Sequence, residues 1–175
     1  MGDIMAHTEA TIIYNVFLDG YNLIGTSQVD LPDLQSITAE IKGAGIAGTI
    51  DSPIKGLFQA MSMTLNFRTV TPDFKKIQKQ QAHHIELWAA VQTMDPASGK
   101  YGVTQHKIIT RAVPKNLTPG KMAMGETQDR ALEFEVTYLK EVFGKDVIME
   151  VDKYNMIYTV DGEDLLQAAR EAAGM

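Results

Sequence analysis

The chain has 175 residues, enough for one domain that buries about 70% of its unfolded surface, and carries a net charge of −6 with a pI near 5.2. That balance argues against the basic footprint of a nucleic-acid reader, and the lack of any cysteine excludes disulfides, thiolate nucleophiles and cysteine zinc sites. No apolar run approaches the ~18 residues of a membrane span, and the first residues lack a cationic stretch followed by an apolar one, so we expect no secretory signal and synthesis in a cytoplasm.

Residues 1–10 read as an N-terminal arm. Residues 11–18 are a β-rich run, Asp19-Gly20-Tyr21-Asn22 supplies turn chemistry, and Leu23-Ile24-Gly25 begins a return strand. Asp30-Leu31-Pro32-Asp33 breaks the pattern. Residues 35–42 then alternate, with Ile37, Ala39 and Ile41 against Ser36, Thr38, Glu40 and Lys42. Residues 43–58 hold four glycines and Pro53 with no helical period. They read as an extended loop of about sixteen residues, a length that in a compact domain points to an interaction element.

The strand expected at residues 60–69 alternates strictly. Met61, Met63, Leu65 and Phe67 fall on one side, and Ser62, Thr64, Asn66 and Arg68 on the other. Thr71-Pro72-Asp73 marks the start of a short helix over residues 71–81, anchored only by Phe74 and Ile77. Residues 84–93 set Ile85, Leu87, Ala89 and Val91 against Glu86, Trp88 and Gln92. A hairpin loop at 95–100 leads to a partner strand at 101–113. Residues 114–127 read as a second irregular loop. Residues 131–139 place Leu132, Phe134, Val136 and Tyr138 opposite Glu133, Glu135 and Thr137. Two last strands, 147–151 and 156–160, precede an amphipathic C-terminal helix over 161–174 with Asp161 or Gly162 near its cap. The fold class is mainly β with α elements: about eight antiparallel strands in a single-domain sandwich or barrel.

Three patterns invite chemistry. Gly43-Ala44-Gly45-Ile46-Ala47-Gly48 is a literal G-x-G-x-x-G, but Thr49-Ile50-Asp51-Ser52-Pro53 stands where the phosphate-binding helix must begin, so the dinucleotide reading fails on context. His83 and His84 point to opposite strand faces and cannot share a metal; they read as strand-end histidines at a surface or interface. Glu133 and Glu135 lie about 7 Å apart by strand rise, within reach of a glycosidase acid pair, but on a polar face with Thr137 rather than in an apolar pocket. No catalytic, cofactor or metal residue is assigned, and the chain reads as a non-enzyme. The recurrent feature is a coherent polar face on several strands. An antiparallel sheet can wet one face, and a ring of such sheets closes into a barrel with a polar lumen.

The succession Asn15-Val16-Phe17-Leu18-Asp19-Gly20-Tyr21-Asn22-Leu23-Ile24-Gly25, Val29-Asp30-Leu31-Pro32-Asp33-Leu34, residues 43–53, Leu132-Glu133-Phe134-Glu135-Val136-Thr137-Tyr138-Leu139-Lys140 and Glu150-Val151-Asp152-Lys153-Tyr154-Asn155 resembles the major tail tube proteins of contractile-tailed bacteriophages and related phage-tail-like bacteriocins. The resemblance runs nearly end to end. It implies a β-sandwich with a flanking helix, built into homohexameric rings that stack as a tube inside a contractile sheath and conduct DNA. Implied partners are further copies of the chain, the sheath, baseplate and tail-terminator proteins, a tape-measure protein in the lumen and passing DNA, with no cofactor and no membrane anchor. Under it, Gly43, Gly45, Ile46, Gly48, Ile50, Pro53, Ile54, Leu57 and Phe58 become an inter-subunit loop, and residues 1–10, 114–127 and the C-terminal region further contacts. Glu40, Ser62, Thr64, Asn66, Glu133 and Glu135 become candidates for the lumen. The nearest alternative is the tube of a type VI-like injection system. A monomeric β-sandwich module for sugar or peptide would instead show clustered surface aromatics.

Overall fold

The computed structural model describes residues 6–22 and 25–175. Leu23 and Ile24, expected to open the return strand, lie outside the described residues. The chain is antiparallel throughout: β1 (His7–Leu18), β2 (Tyr21–Asn22), β3 (Thr26–Asp30), β4 (Ser36–Ile41), β5 (Ile50–Phe58), β6 (Ser62–Phe67), α1 (Phe74–Ile77), β7 (His83–Asp95), β8 (Lys100–Thr118), β9 (Arg130–Phe143), β10 (Asp146–Asp152), β11 (Ile157–Val160), β12 (Glu163–Asp164) and α2 (Gln167–Ala172). One sheet runs β12-β11-β10-β9-β8-β7-β1-β2, and β3 and β6 branch from it through the pairing of β6 with β9. Hairpin β4–β5 is separate from that sheet. The described strands form a two-layered sandwich, and no layer closes into a barrel within one chain.

The branch has a local cause. Arg130–Glu135 of β9 pair with β6, whereas Tyr138–Phe143 pair with β10. Between them a bulge opposite β8 leaves Thr137 without a partner there, as the register passes from Ala112↔Val136 to Arg111↔Tyr138. An extra residue bends a strand and re-aims its side chains. Leu132, Phe134 and Val136 therefore point inward, but beyond the bulge Leu139 is buried and Tyr138, expected inward, is not. Tyr138 instead donates to Glu150 Oε1 at 2.8 Å, and burial and that carboxylate push its hydroxyl up to about 12.

The inner faces meet in one core. Met61, Met63, Leu65 and Phe67 pack with Val16, Leu18, Ile85, Leu87, Ile108, Leu132 and Phe134, and α1 covers one end through Phe74 and Ile77. Burial of this alternating set is what fixes the register, since a slip of one residue would turn Met63, Leu65 and Phe67 to water. Phe74 stands edge-on to Phe67 at 4.6 Å and carries the Arg130 guanidinium 4.8 Å from its ring centre.

Several elements differ from expectation. The loop drawn over 43–58 is a loop only to residue 49; Ile50–Phe58 is a strand paired to β4. Residues 7–10 of the expected arm belong to β1. The second irregular loop starts later, because β8 continues through Pro114 to Thr118. The helix expected over 71–81 is one turn, and that over 161–174 is Gln167–Ala172, with Leu166 rather than Asp161 or Gly162 at its cap. Two-residue strand β12 takes up the start of that stretch.

The base of hairpin β4–β5 is tied to the body. Gln59 N donates to Gln35 O at 2.8 Å, Phe58 meets Tyr158 edge-on at 4.9 Å, and Gly56, at φ +72, lies under Leu166. A Cβ on Gly56 would come within 2.6 Å of the Leu166 side chain. Gly56→Ala therefore combines a left-handed backbone with a clash. We expect a loss of roughly 1–3 kcal/mol and a melting temperature lower by roughly 2–12 °C, measured by circular dichroism.

On the outer face of β7 and β8, Glu86 accepts from His84 Nε2 and Trp88 Nε1, both at 2.7 Å, and pairs with Lys107 at 3.0 Å. Lys107 also lies 4.5 Å from the Trp88 ring centre. Burial pushes the Glu86 carboxyl up, but the hydrogen bonds from His84, Trp88 and Lys107 outweigh it and hold it down at about 2. A depressed carboxyl contributes stability that is present above its unfolded value and lost as pH falls through the folded one. Wild-type protein should thus lose stability between about pH 4.5 and 2, and Glu86→Gln should flatten that part of the profile in chemical denaturation.

Candidate functional site

The polar faces gather on one four-stranded layer, ordered β3, β6, β9 (N-terminal half) and β8 (C-terminal half). Ser62 lies opposite Glu135, Thr64 opposite Glu133 and Asn66 opposite Ala131, so the strict alternation of β6 places its polar side chains beside those of β9. Lys115 ties them together: its Nζ donates to Ser62 Oγ and lies 3.1 Å from Glu135 Oε2 and 3.3 Å from Glu133 Oε1. Desolvation lowers the Lys115 ammonium, but the two carboxylates prevail and raise it. Lys153 approaches Glu135 at 3.9 Å and donates to Gln59 O at 2.8 Å. At the other margin, Asp30 accepts from Asn66 Nδ2 at 2.9 Å and Gln28 Nε2 at 2.7 Å.

Five of the six lumen candidates, Ser62, Thr64, Asn66, Glu133 and Glu135, thus share one face. Glu40 does not join them; it sits on hairpin β4–β5, paired with Lys42 at 3.0 Å. Sequence reading missed Gln28, Asp30, Lys115 and Lys153. The alternation of Gln28, Val29 and Asp30 was a usable signal, whereas Pro114 concealed that Lys115 continues a strand. Glu133 and Glu135 each carry the same lysine, so neither is the unpaired acid that glycoside hydrolysis needs.

This layer has two open edges. β3 pairs with β6 alone, and β8 pairs with β7 only as far as Ala112↔His83, leaving the outer edge of residues 113–118 unpaired among the described residues. Pro114 fits such an edge, because proline cannot donate to a ladder and is tolerated where no neighbour strand needs the bond. Unpaired edges template association with another strand.

The expected inter-subunit segment splits in two. Gly43, Gly45, Ile46 and Gly48 form the tip of the hairpin, where Ile46 N donates to Gly43 O and Gly48 N to Ile46 O, and the three glycines have positive φ. A strand follows, not a helix, so the glycine pattern serves a turn. Ile50, Pro53, Ile54, Leu57 and Phe58 belong to β5; Ile50, Ile54 and Leu57 are exposed, and Phe58 anchors the base. The histidines correct one expectation. His84 is a surface residue, but His83 is buried at 1% exposure, with Nε2 2.9 Å from Lys79 O and Nδ1 3.3 Å from Asp19 Oδ2. Among the described residues no group of three or more metal-ligating side chains converges.

The family of the phage tail tube protein FII matches residues 11–174. The chain is 25% identical, over 98% of its length and 100% of the relative's, to the tail tube protein of Escherichia phage P2. Among solved structures it is similar to a chain of the PVC sheath/tube terminator of an extracellular contractile injection system, in the extended state, at 15% identity and a TM-score of 0.48 over 75% of this chain and 94% of that one. It is also similar to a chain of the sheath–tube complex of that system, at 16% identity and 0.45 over 77% and 86%. The family match over nearly the whole sequence identifies a structural, non-enzymatic tail tube component: the chain belongs to the family of phage tail tube protein FII.

Proposed function

We propose that six copies of this chain close into a ring by joining the free edge of β3 in one copy to the free edge of residues 113–118 of β8 in the next, and that rings stack into the inner tube of a contractile tail. The supporting observation is the direction of the strands. The order β3, β6, β9, β8 alternates strictly, so β3 and β8 run opposite ways, and a copy placed alongside continues the sheet antiparallel without a break. Such a head-to-tail contact between different patches makes rings rather than dimers.

Four strands from each of six copies make a barrel of 24. With about 4.8 Å between strands and a tilt near 40°, its radius is about 24 Å, wide enough for a DNA duplex to pass. The face carrying Ser62, Thr64, Asn66, Glu133 and Glu135 lines that lumen. Its lysines, Lys115 and Lys153, are both held by carboxylates, so the wall offers sliding DNA few free cations to grip phosphates. The outside of the tube meets the sheath, its ends the baseplate and terminator proteins, and its lumen the tape-measure protein before DNA. Negative-stain electron microscopy with sedimentation tests this. Six-fold rings or hollow tubes are the expected result, and a monodisperse monomer at every concentration, even with a baseplate nucleus supplied, would overturn it.

A further inference from the structure

Among the uncovered apolar features of the described residues, two lie at opposite ends of the four-stranded layer. The first is the hairpin. Register pairs Ile41 with Ile50 and Ala39 with Ser52, and the period of two adds Ile37 to the same side. One face of the hairpin therefore presents Ile37, Ala39, Ile41 and Ile50, with all three isoleucines exposed. A two-stranded hairpin is marginal in water by itself, so an uncovered apolar face on one calls for a partner. The hairpin leaves the layer where Asp30 and Ser62 lie, since it connects β3 to β6 at that end.

The second feature is the connection from β8 to β9, which leaves the layer at the other end, where Thr118 pairs with Ala131 and Phe67 with Arg130. Its tip presents Met122 and Met124 at 93% and 102% exposure. The loop that carries them is built rather than slack. Lys121 N donates to Gln128 O at 2.9 Å, Gln128 N to Arg68 O at 2.7 Å, and Gln128 Nε2 to Pro119 O at 2.9 Å. Lys121 bridges Glu126 at 2.7 Å. Gly120, at φ +80, lies so close beneath Gln128 O that a Cβ would approach within 2.0 Å. The connection over residues 119–129 is thus braced to hold two methionines in water. Methionine is the side chain that best adapts to another apolar surface.

We infer that Met122 and Met124 of one copy seat on the Ile37–Ile41–Ile50 face of a second copy in the ring stacked on it, and that this contact joins ring to ring. The inference rests on the ring reading for its geometry. The strands rise through the ring at a tilt, so stacking along the ring axis turns the methionine end of each layer toward the hairpin end of a layer in the next ring, which gives these two patches an occupant of matching chemistry in a one-to-one ratio. A face that mates with its own kind could close only a dimer, whereas these two differ and propagate without limit.

The chain has no cysteine, so a disulfide can report the contact against no background. The test is the Met124→Cys, Ile50→Cys double variant, oxidised with copper–phenanthroline and run on non-reducing gels, with each single variant and wild type alongside. Both positions are exposed, so the substitutions leave the core intact. The expected result is a ladder extending beyond six chains in the double variant, absent from either single variant and collapsed by reductant. A ladder that stops at six would place the contact between neighbours within a ring and overturn the inference. Absence of the crosslink overturns it whether or not rings form. A long ladder without six-fold rings in the microscope would sustain the axial contact while the ring reading fell.

Discussion

Excising residues 38–53 and joining Ile37 to Ile54 through Asn-Gly is expected to leave a folded chain that builds no tubes. Thr38 and Pro53 are cross-strand partners, so a two-residue turn of the kind that closes tight hairpins spans the gap. None of the excised residues belongs to the core cluster. The contacts that tie the hairpin base to the body, Phe58 on Tyr158 and Gly56 under Leu166, remain. Loop shortening costs little by chain entropy, so the melting temperature should shift by no more than a few degrees. Assembly should be lost, because the excised segment carries Ala39, Ile41 and Ile50, most of the apolar face that the account assigns to a second copy. Sedimentation velocity at increasing concentration checks it: rings at most, never long tubes. Tubes of normal length from the shortened chain would contradict the role given to the hairpin.

Phe67→Ala should have the largest effect on stability of any single change considered. Phe67 is fully buried on β6 and packs edge-on against Phe74, the residue that seats α1 on the core. Truncation of a buried phenylalanine costs about 3–5 kcal/mol through lost transfer energy and the cavity left behind. A chain of this length should then melt roughly 6–20 °C lower, and a domain whose whole stability is of order 5–15 kcal/mol loses a large share of it. The damage falls at the end of the layer where Arg68 O accepts from Gln128 N, so the methionine loop should loosen too. Thermal unfolding by circular dichroism reads the first effect. A shift below about 3 °C would show that the site refills and that Phe67 does not brace α1 as described.

Strands β6, β7 and β9 could be read from the sequence because each has one face in the core and one in water, which writes a period of two directly into the residues. β5 could not. As one strand of a hairpin outside the core, it has no buried face to impose alternation, and Pro53 and Gly56 read as breakers in a strand whose outer edge tolerates them. The extension of β8 past Pro114 is hidden for a related reason: proline usually ends a strand, but at an unpaired edge it removes no ladder bond. The bulge at Thr137 leaves no compositional mark, so the period of two places Tyr138 on the inner face, which it does not occupy.

The polar site was legible through β6 and β9 and invisible at its margins. Asp30 stands in a stretch that reads as a break, and Lys115 follows a proline that reads as the end of a strand. His83 could have been placed correctly, since it shares parity with Ile85 and Leu87 on β7. The family resemblance held over almost the whole chain because it rested on the order of segments rather than on any one motif. The glycine run at 43–48 misleads when isolated from that order; its glycines answer to the left-handed turns at a hairpin tip, not to a phosphate.

The junction between copies is the centre of this account, and hydrogen exchange followed by mass spectrometry, on unassembled chain and on assembled tubes, tests it most directly. Among the described residues of the single chain, the outer edges of Thr26–Asp30 and residues 113–118 have no partner strand. On assembly, peptides covering both segments should gain protection together, as the amides of each edge find acceptors on the other copy. If tubes form while these two segments exchange as fast as in the unassembled chain, the sheet does not continue from copy to copy, and the barrel proposed here is wrong.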